Sequence, residues 1–365
     1  MQDTNELDFT VRRDALSQVR WAEAQTRPDQ ALGPGEVLLR IERYGLSANN
    51  ITYALVGELM RYWDFFPAEP GWGRIPVWGY AQVAASSCPD VNEGDRVFGY
   101  LPMSRWLRVR PERVTERDFM DGSEHRRALP KAYQRYARVP RVDPAIEDLR
   151  ALLRPLSGTG FLLADWLHTE AWFGAQRVLF TSASSKTALA TAFAVSRSPA
   201  RDVELVGLTS ERNRAFCVAA GYYDRVVAYS ELESLTPAQA TVFVDMAGDA
   251  DVLRRVHTHF EERLRHSCVV GMTHGAPPTA AGAGNPLPGP VPQLFFAPAH
   301  VDSCVRAWGA EAFRTRLDAA EQAFMESARA WLRVEVREGS QAIEASYREM
   351  VAGAVPAQQG LILVP

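Results

Sequence analysis

Between residues 36 and 43 apolar and polar positions alternate, with Val37, Leu39 and Ile41 on one side, which is the period of a half-buried strand. Shorter strand-like pieces follow at residues 81–84 and 96–100. Turns such as Glu93-Gly94-Asp95 part them, so the first part of the chain reads as largely β. Past Arg141 the texture changes. Helical spacing covers residues 146–153 and 160–172, and then strands (178–181, 203–208, 241–245, 267–271, 293–296) alternate with helices (186–195, 211–220, 250–264). Such alternation predicts a parallel sheet covered on both faces. A loop rich in glycine and proline, residues 275–292, precedes the last of these strands, and loops of that length are commonly functional. A helix over residues 311–334 and a short β tail at 359–363 close the chain, and no segment repeats.

At 365 residues the chain exceeds what one core supports, so two lobes are expected. An apolar share of 47% with 23% charged residues is that of a chain that folds, and a net charge of −4 argues against nucleic acid as a partner. The arginines between Arg105 and Arg117 have Glu112 and Glu116 among them and read as a solvated strand and loop. No run of about 18 apolar residues predicts a membrane span, and the acidic N-terminus has no signal-peptide core, so the expected compartment is the cytoplasm. Cys88, Cys217, Cys268 and Cys304 lie far apart and read as reduced, mostly buried thiols. His257, His259 and His266 read as solvent-exposed, since the first two fall on different helix faces.

The sharpest feature is residues 177–190, RVLFTSASSKTALA: a buried strand, a turn of small residues, then a helix. A helix N-terminus at the end of such a strand offers unpaired N–H groups and the positive end of the dipole to an anion, and Lys186 adds a full charge. Ser182, Ser184, Ser185, Lys186 and Thr187 are therefore candidate phosphate ligands. A P-loop is the first rival, but Phe180 and Ser185 stand where that motif needs glycine. The dinucleotide fingerprint is also imperfect, with Ser182, Ser185 and Ala188 in its glycine places, and a tight turn without a ligand stays open. One strand later Ser210, Arg212 and Arg214 can receive the 2′-phosphate of NADP, with an N-capping serine before a solvated helix as the plainer alternative.

The order of these pieces resembles the medium-chain dehydrogenase/reductases, above all their zinc-independent quinone-oxidoreductase and enoyl-reductase branches. Gly35-Glu36-Val37-Leu38, Gly45-Leu46-Ser47, Pro76-Val77-Trp78-Gly79, Gly94-Asp95-Arg96-Val97, Val244-Asp245-Met246-Ala247-Gly248 and Val270-Gly271-Met272 follow that superfamily in sequence order. Residues 49–54, 62–67, 99–102 and 182–188 resemble a branch catalogued as a domain of unknown function. The resemblance implies an α/β protein in two parts: a GroES-like β-rich catalytic lobe over residues 1–145 and 301–365, and a Rossmann doubly wound parallel sheet over 146–300. It implies NADP as cofactor, with Tyr229, Met246, Gly271 and Met272 also on it. Zinc members have Gly-His-Glu where this chain has Gly79-Tyr80-Ala81, so no catalytic metal is expected.

For chemistry the resemblance points to Tyr53, one residue displaced from a tyrosine of zinc-free relatives. Asn49 and Asn50 are neighbouring donors for a carbonyl or enolate oxygen. Tyr80 and Tyr100 stand where zinc members hold their metal and could donate in its place. His125 could act as a general acid and Arg126 could hold a carboxylate, unless their segment is a surface hairpin. Tyr62, Trp63, Phe65, Phe66 and Trp72 either pack inside or line a pocket for a flat, apolar small molecule. The expected activity is NADPH-dependent reduction of an activated C=C or C=O. A fold repurposed as a lyase, an isomerase or a ligand-binding protein stays open. Pairing through residues 293–298 across a two-fold axis predicts a homodimer.

Overall fold

The structure, a computed structural model, describes residues 7–198, 201–270 and 287–365. Gly271, Met272 and most of the 275–292 loop lie outside the described residues. Two compact units result: Met1–Leu152 with Val334–Pro365, and Leu153–Arg333. Residues 301–333 thus belong to the second unit, where the sequence reading had them in the first. The reason is aromatic: from the helix Ala310–Ala328, Phe324 meets the Phe193 ring at 5.5 Å, and Phe313 joins the same core as Phe180 and Val244.

The first unit is β-rich, as the alternation at its start requires. Its nine-stranded sheet runs in the order Arg333–Glu338, Gln359–Val364, Val37–Leu46, Pro76–Ser86, Arg96–Pro102, Arg135–Arg138, Asp118–Asp121, Pro111–Glu112, with Trp106–Val109 also paired to Val37–Leu46. Gly79 sits where Val37–Leu46 and Pro76–Ser86 cross closest. A Cβ there would come within 2.2 Å of the Arg43 carbonyl oxygen, which leaves glycine as the residue that fits. A second sheet joins Val19–Glu23, Leu7–Arg12 and Trp72–Gly73.

The second unit holds six parallel strands: β1 (Arg177–Phe180), β2 (Glu204–Thr209), β3 (Arg225–Ala228), β4 (Thr241–Asp245), β5 (Leu264–Val269) and β6 (Gln293–Leu294). Their order across the sheet is β3-β2-β1-β4-β5-β6, every pairing parallel. That is the doubly wound order of dinucleotide-binding folds, with its reversal between β1 and β4. All four residues of β1 and all five of β4 are buried, as central strands must be. Helices α1 (Lys186–Ser196), α2 (Glu211–Ala220) and α3 (Ala250–Phe260) follow β1, β2 and β4. Three of these ends have a local cause: Ser185 Oγ accepts the Ala188 N–H ahead of α1, Asp249 accepts from Asp251 and Val252 ahead of α3, and Gly221 ends α2 at φ 73°.

Two expectations change here. The two predicted helical pieces at 146–153 and 160–172 are one helix, Pro144–Thr169, with Pro155 inside it. It stops short of residue 172 because Ala171, Trp172, Phe173 and Gly174 all take positive φ, a left-handed turn that costs about 1–2 kcal/mol per non-glycine residue. Burial of Trp172 and stacking of Phe173 on His266 (4.1 Å between centroids, 8° between planes) offset that strain. The edge strand expected over residues 293–298 is only two residues long, since the chain enters the helix Ala297–Trp308.

Candidate functional site

At the switch point between β1 and β4 the loops at the strands' C-terminal ends are tied together by one buried pair. The Thr181 hydroxyl donates to Asp245 Oδ1 at 2.6 Å and accepts from the N–H groups of Met246 (2.9 Å) and Ala247 (3.1 Å). Asp245 Oδ1 also accepts from Ala247 (2.9 Å) and Gly248 (3.2 Å). Burial raises the Asp245 pKa, and these bonds hold the rise back. Met246, a candidate cofactor residue, is itself buried and contributes its main chain to this tie.

The loop leaving β1 carries the candidate anion ligands. Ser182 adopts φ 45°, the left-handed conformation that glycine takes cheaply, and its N–H donates to the Tyr229 hydroxyl at 2.8 Å. The Ala183 N–H goes to Leu208 O (3.1 Å) and that of Ser185 to Ser182 O (2.7 Å). The N–H groups of Ser184 and Thr187, at the first turn of α1, have no acceptor among the described residues. Lys186 opens that helix half-buried, and desolvation lowers its pKa to about 8, which leaves it charged at neutral pH. Gly207 on β2 lets the loop sit this close: a Cβ there would come within 2.9 Å of the Ala183 Cβ. Asn213 Nδ2 donates to Ser184 Oγ (3.0 Å) and the Tyr223 hydroxyl to Ala183 O (2.9 Å), two supports the sequence reading missed.

At the end of β2, Ser210 occupies the N-cap position of α2 without a side-chain hydrogen bond, so the plainer reading of an N-capping serine before a solvated helix stays open. Arg212 is exposed on the first turn. Arg214 faces the carboxylates of Glu231 (3.1 Å) and Glu211 (3.4 Å), so a 2′-phosphate would have to compete for it.

In the first unit the expected catalytic residues part company. Tyr53 is buried, its hydroxyl accepting the Trp78 indole N–H at 3.3 Å and bonded to the Asn49 side chain. Its ring meets Tyr62 at 4.7 Å and Tyr100 at 5.5 Å, and Tyr133 closes the group at 4.8 Å from Tyr100. The Tyr100 hydroxyl is fully buried with no hydrogen-bond partner among the described residues. Burial pushes its pKa, and that of Tyr53, far above the usual tyrosine range, so both stay protonated. Tyr80 packs on Phe98 (5.1 Å) beneath the Arg96 guanidinium. Asn50 is buried and partly committed: its Oδ1 accepts the Ser47 N–H at 2.7 Å and one hydrogen of its Nδ2 goes to Pro76 O at 2.8 Å.

His125 and Arg126 are corrected as well. His125 Nε2 sits 3.3 Å from Phe65 O, and desolvation followed by the Arg126 charge lowers its pKa, the wrong direction for a general acid. Arg126 is buried, paired with Asp121 at 2.8 Å and donating to Phe65 O and the Tyr136 hydroxyl at 3.0 Å each. It is an internal anchor and no receptor for a ligand's carboxylate, while the segment around it is the expected surface hairpin: Glu124, His125 and Arg127 are exposed in the connection between the antiparallel strands Asp118–Asp121 and Arg135–Arg138. Trp63, Phe65 and Phe66 are core residues, and Trp72 lies under Arg20 at 4.0 Å.

The sequence matches the family described as Protein of unknown function (DUF2855) over residues 44–356. The chain belongs to that family. No curated protein matches it in sequence. Solved structures resemble it along nearly its whole length. CurA from Vibrio vulnificus, solved with NADPH, is 11% identical, with 95% of this chain and 94% of that one covered at a TM-score of 0.58. The yhdH oxidoreductase from Salmonella enterica, solved with NADP, is 16% identical, covered 98% and 99%, at 0.52. CurK enoyl reductase is 13% identical, covered 98% on both sides, at 0.54. At such identities the likeness is one of fold alone.

Within this DUF2855 chain the histidines overturn their expected exposure. His257 is fully buried between Ser267 Oγ (2.9 Å) and Pro288 O (2.8 Å), His266 is buried under Phe173, and His259 is half-buried on Leu235 O (2.7 Å). Helical spacing put the first two on different faces, and nothing local shows that the sheet and the chain around Pro288 cover both. Among the described residues no three His, Cys, Asp or Glu groups are placed to hold a metal ion. Cys217, Cys268 and Cys304 are buried free thiols, and Cys88 is half-buried.

Proposed function

We propose that this chain is an NADPH-dependent oxidoreductase that reduces an activated C=C or C=O bond, in an enone, quinone, aldehyde or related flat small molecule, without zinc. The observation that carries the reading is the parallel order β3-β2-β1-β4-β5-β6, which puts the first turn of α1 and the Lys186 ammonium at the switch point. The donor set fits a pyrophosphate: two N–H groups without acceptors among the described residues, serine hydroxyls and one retained positive charge. Ser182, Ser184, Ser185, Lys186 and Thr187 would face the pyrophosphate. Ser210 and Arg212, joined by Arg214 once it leaves its carboxylates, would face the 2′-phosphate. Tyr229 and Met246 flank that seat. CurA and yhdH, solved with NADPH and NADP, support the choice of nucleotide.

NADPH would supply the hydride when bound. The chain's part is placement and electrostatics. The Tyr100 hydroxyl, protonated and unpartnered, and the Tyr53 hydroxyl, oriented by Trp78 and Asn49, would stabilise negative charge developing on the substrate oxygen. The surrounding rings of Tyr62, Trp78 and Tyr133 suit a flat, apolar acceptor. The homodimer belongs to this reading, although β6 offers it only two residues to pair through.

Fluorescence titration of the purified protein with NADPH, NADP and NADH tests the proposal. Tight NADPH binding, lost in Lys186→Glu and shifted toward NADH in Arg212→Asp, is the expected result. Absence of any nucleotide binding at millimolar concentration would sink it.

A further inference from the structure

The strand Arg333–Glu338 (RVEVRE) ends the nine-stranded sheet and, among the described residues, pairs on one side only, with Gln359–Val364. All its residues except Arg337 are exposed, Val334 by 37% and Val336 by 44%. The period of two puts Val334, Val336 and Glu338 on one face and Arg333, Glu335 and Arg337 on the other. An edge with free backbone groups and exposed valines is a template for another strand, and natural edges are usually blunted against this.

Here the charges do not blunt the edge in every register. When two copies of a strand pair antiparallel about a two-fold axis, opposed residues must share a face, so the axis passes through a residue position. Two such registers pair five residues of this strand. Centred on Glu335, the pairing sets Glu335 against Glu335 and Arg333 against Arg337, repulsive throughout the polar face. Centred on Val336, it sets Glu335 against Arg337 twice and Val336 against Val336, with Val334 opposite Glu338. Opposite charges across strands stabilise a pair and like charges oppose it, so the strand is self-complementary in one register alone. The Arg337 guanidinium is already fixed for this by Glu335 (2.8 Å), Glu349 (2.8 Å) and Ser346 (3.1 Å). By contrast β6 exposes Leu294 over two paired residues and carries no such pattern.

We propose that a second copy of this chain pairs with the first through Arg333–Glu338, antiparallel about Val336, making one continuous sheet across the two-fold axis. Five residues a side make a small interface, so the dimer is reversible and concentration-dependent. The proposal names the seam of the homodimer and stands apart from the nucleotide reading, which NADPH titration tests by itself.

Sedimentation velocity over a wide concentration range measures it, with circular dichroism confirming that each variant is folded. The wild type is expected to dimerise, and Leu294→Lys to leave that unchanged. Val336→Lys, which brings two ammonium groups together at the axis, should give monomers. Glu335→Arg and Arg337→Glu should each be monomeric alone, yet form a heterodimer when mixed, because both cross-strand pairs then regain opposite charges. Should Arg337→Glu not fold, Val336→Lys and Glu335→Arg decide the matter. A wild type that stays monomeric, a dimer dissolved by Leu294→Lys but not by Val336→Lys, or a mixture of folded charge variants that does not associate overturns the proposal.

Discussion

Replacing Thr181 by valine keeps the side chain's volume and removes one hydroxyl from the buried tie between β1 and β4. That hydroxyl donates to the Asp245 carboxylate at 2.6 Å and accepts the Met246 N–H at 2.9 Å, and both residues are almost wholly buried. A hydrogen bond to a charged group is worth about 1.5–3 kcal/mol, and an orphaned buried N–H costs about 1–3 kcal/mol. The Ala247 N–H keeps Asp245 as its acceptor, so only one amide is orphaned. The sum is a loss of about 3–5 kcal/mol, read as a lower urea midpoint by far-UV circular dichroism at unchanged slope. The loss has a pH signature. Asp245 already has a raised pKa, so it binds its proton more readily folded than unfolded, and its contribution to stability falls as pH rises from the unfolded value through the folded one. Thr181→Val withdraws a bond that favours the carboxylate and raises that pKa further. The deficit against wild type should therefore grow as pH rises through the folded pKa of the wild type toward the higher one of the variant. A deficit below about 0.5 kcal/mol, or one independent of pH, would mean that Asp245 does not depend on this hydroxyl.

Tyr100→Phe deletes a buried hydroxyl without a partner, so stability should hold or rise by about 1 kcal/mol while turnover falls about tenfold. A large stability loss in a thermal melt would show that the hydroxyl is structural. Gly160 and Gly158 lie in one helix: a Cβ at Gly160 would stand 2.8 Å from the Ala190 and Thr191 main chain, whereas at Gly158 the nearest atom is 3.7 Å away. Gly160→Ala should cost about 1–3 kcal/mol by overpacking and Gly158→Ala should stabilise by up to about 1 kcal/mol, both by urea denaturation. Lys186 has a pKa of about 8 before nucleotide binds, and a bound phosphate raises it. NADPH affinity should then be flat below about pH 8 and decline above it, and calorimetry showing no decline in wild type would separate Lys186 from the anion.

Much of the second unit was legible along the chain. The bounds of α2 (Glu211–Ala220) and β4 (Thr241–Asp245) coincide with their predicted ranges, because apolar period, capping residues and Gly221 are all local signals. The strand β3, the helix Ala297–Trp308 and the strand Arg333–Glu338 escaped notice: β3 is four residues long, and RVEVRE has too little apolar contrast to stand out. The left-handed turn at residues 171–174 carries one glycine and no other warning.

Sequence by itself determined the kind of most of the second unit's strands and helices and the small-residue turn ahead of Lys186, since periodicity and turn chemistry act between near neighbours. Tertiary structure alone decided which candidates could act. Arg126 became an anchor through Asp121 and Tyr136, Asn50 was tied to Ser47 and Pro76, and Tyr100 kept a hydroxyl with no partner among the described residues. Burial and partner choice depend on residues distant in the chain, and these set both the proton affinity of a group and its freedom to bind anything else.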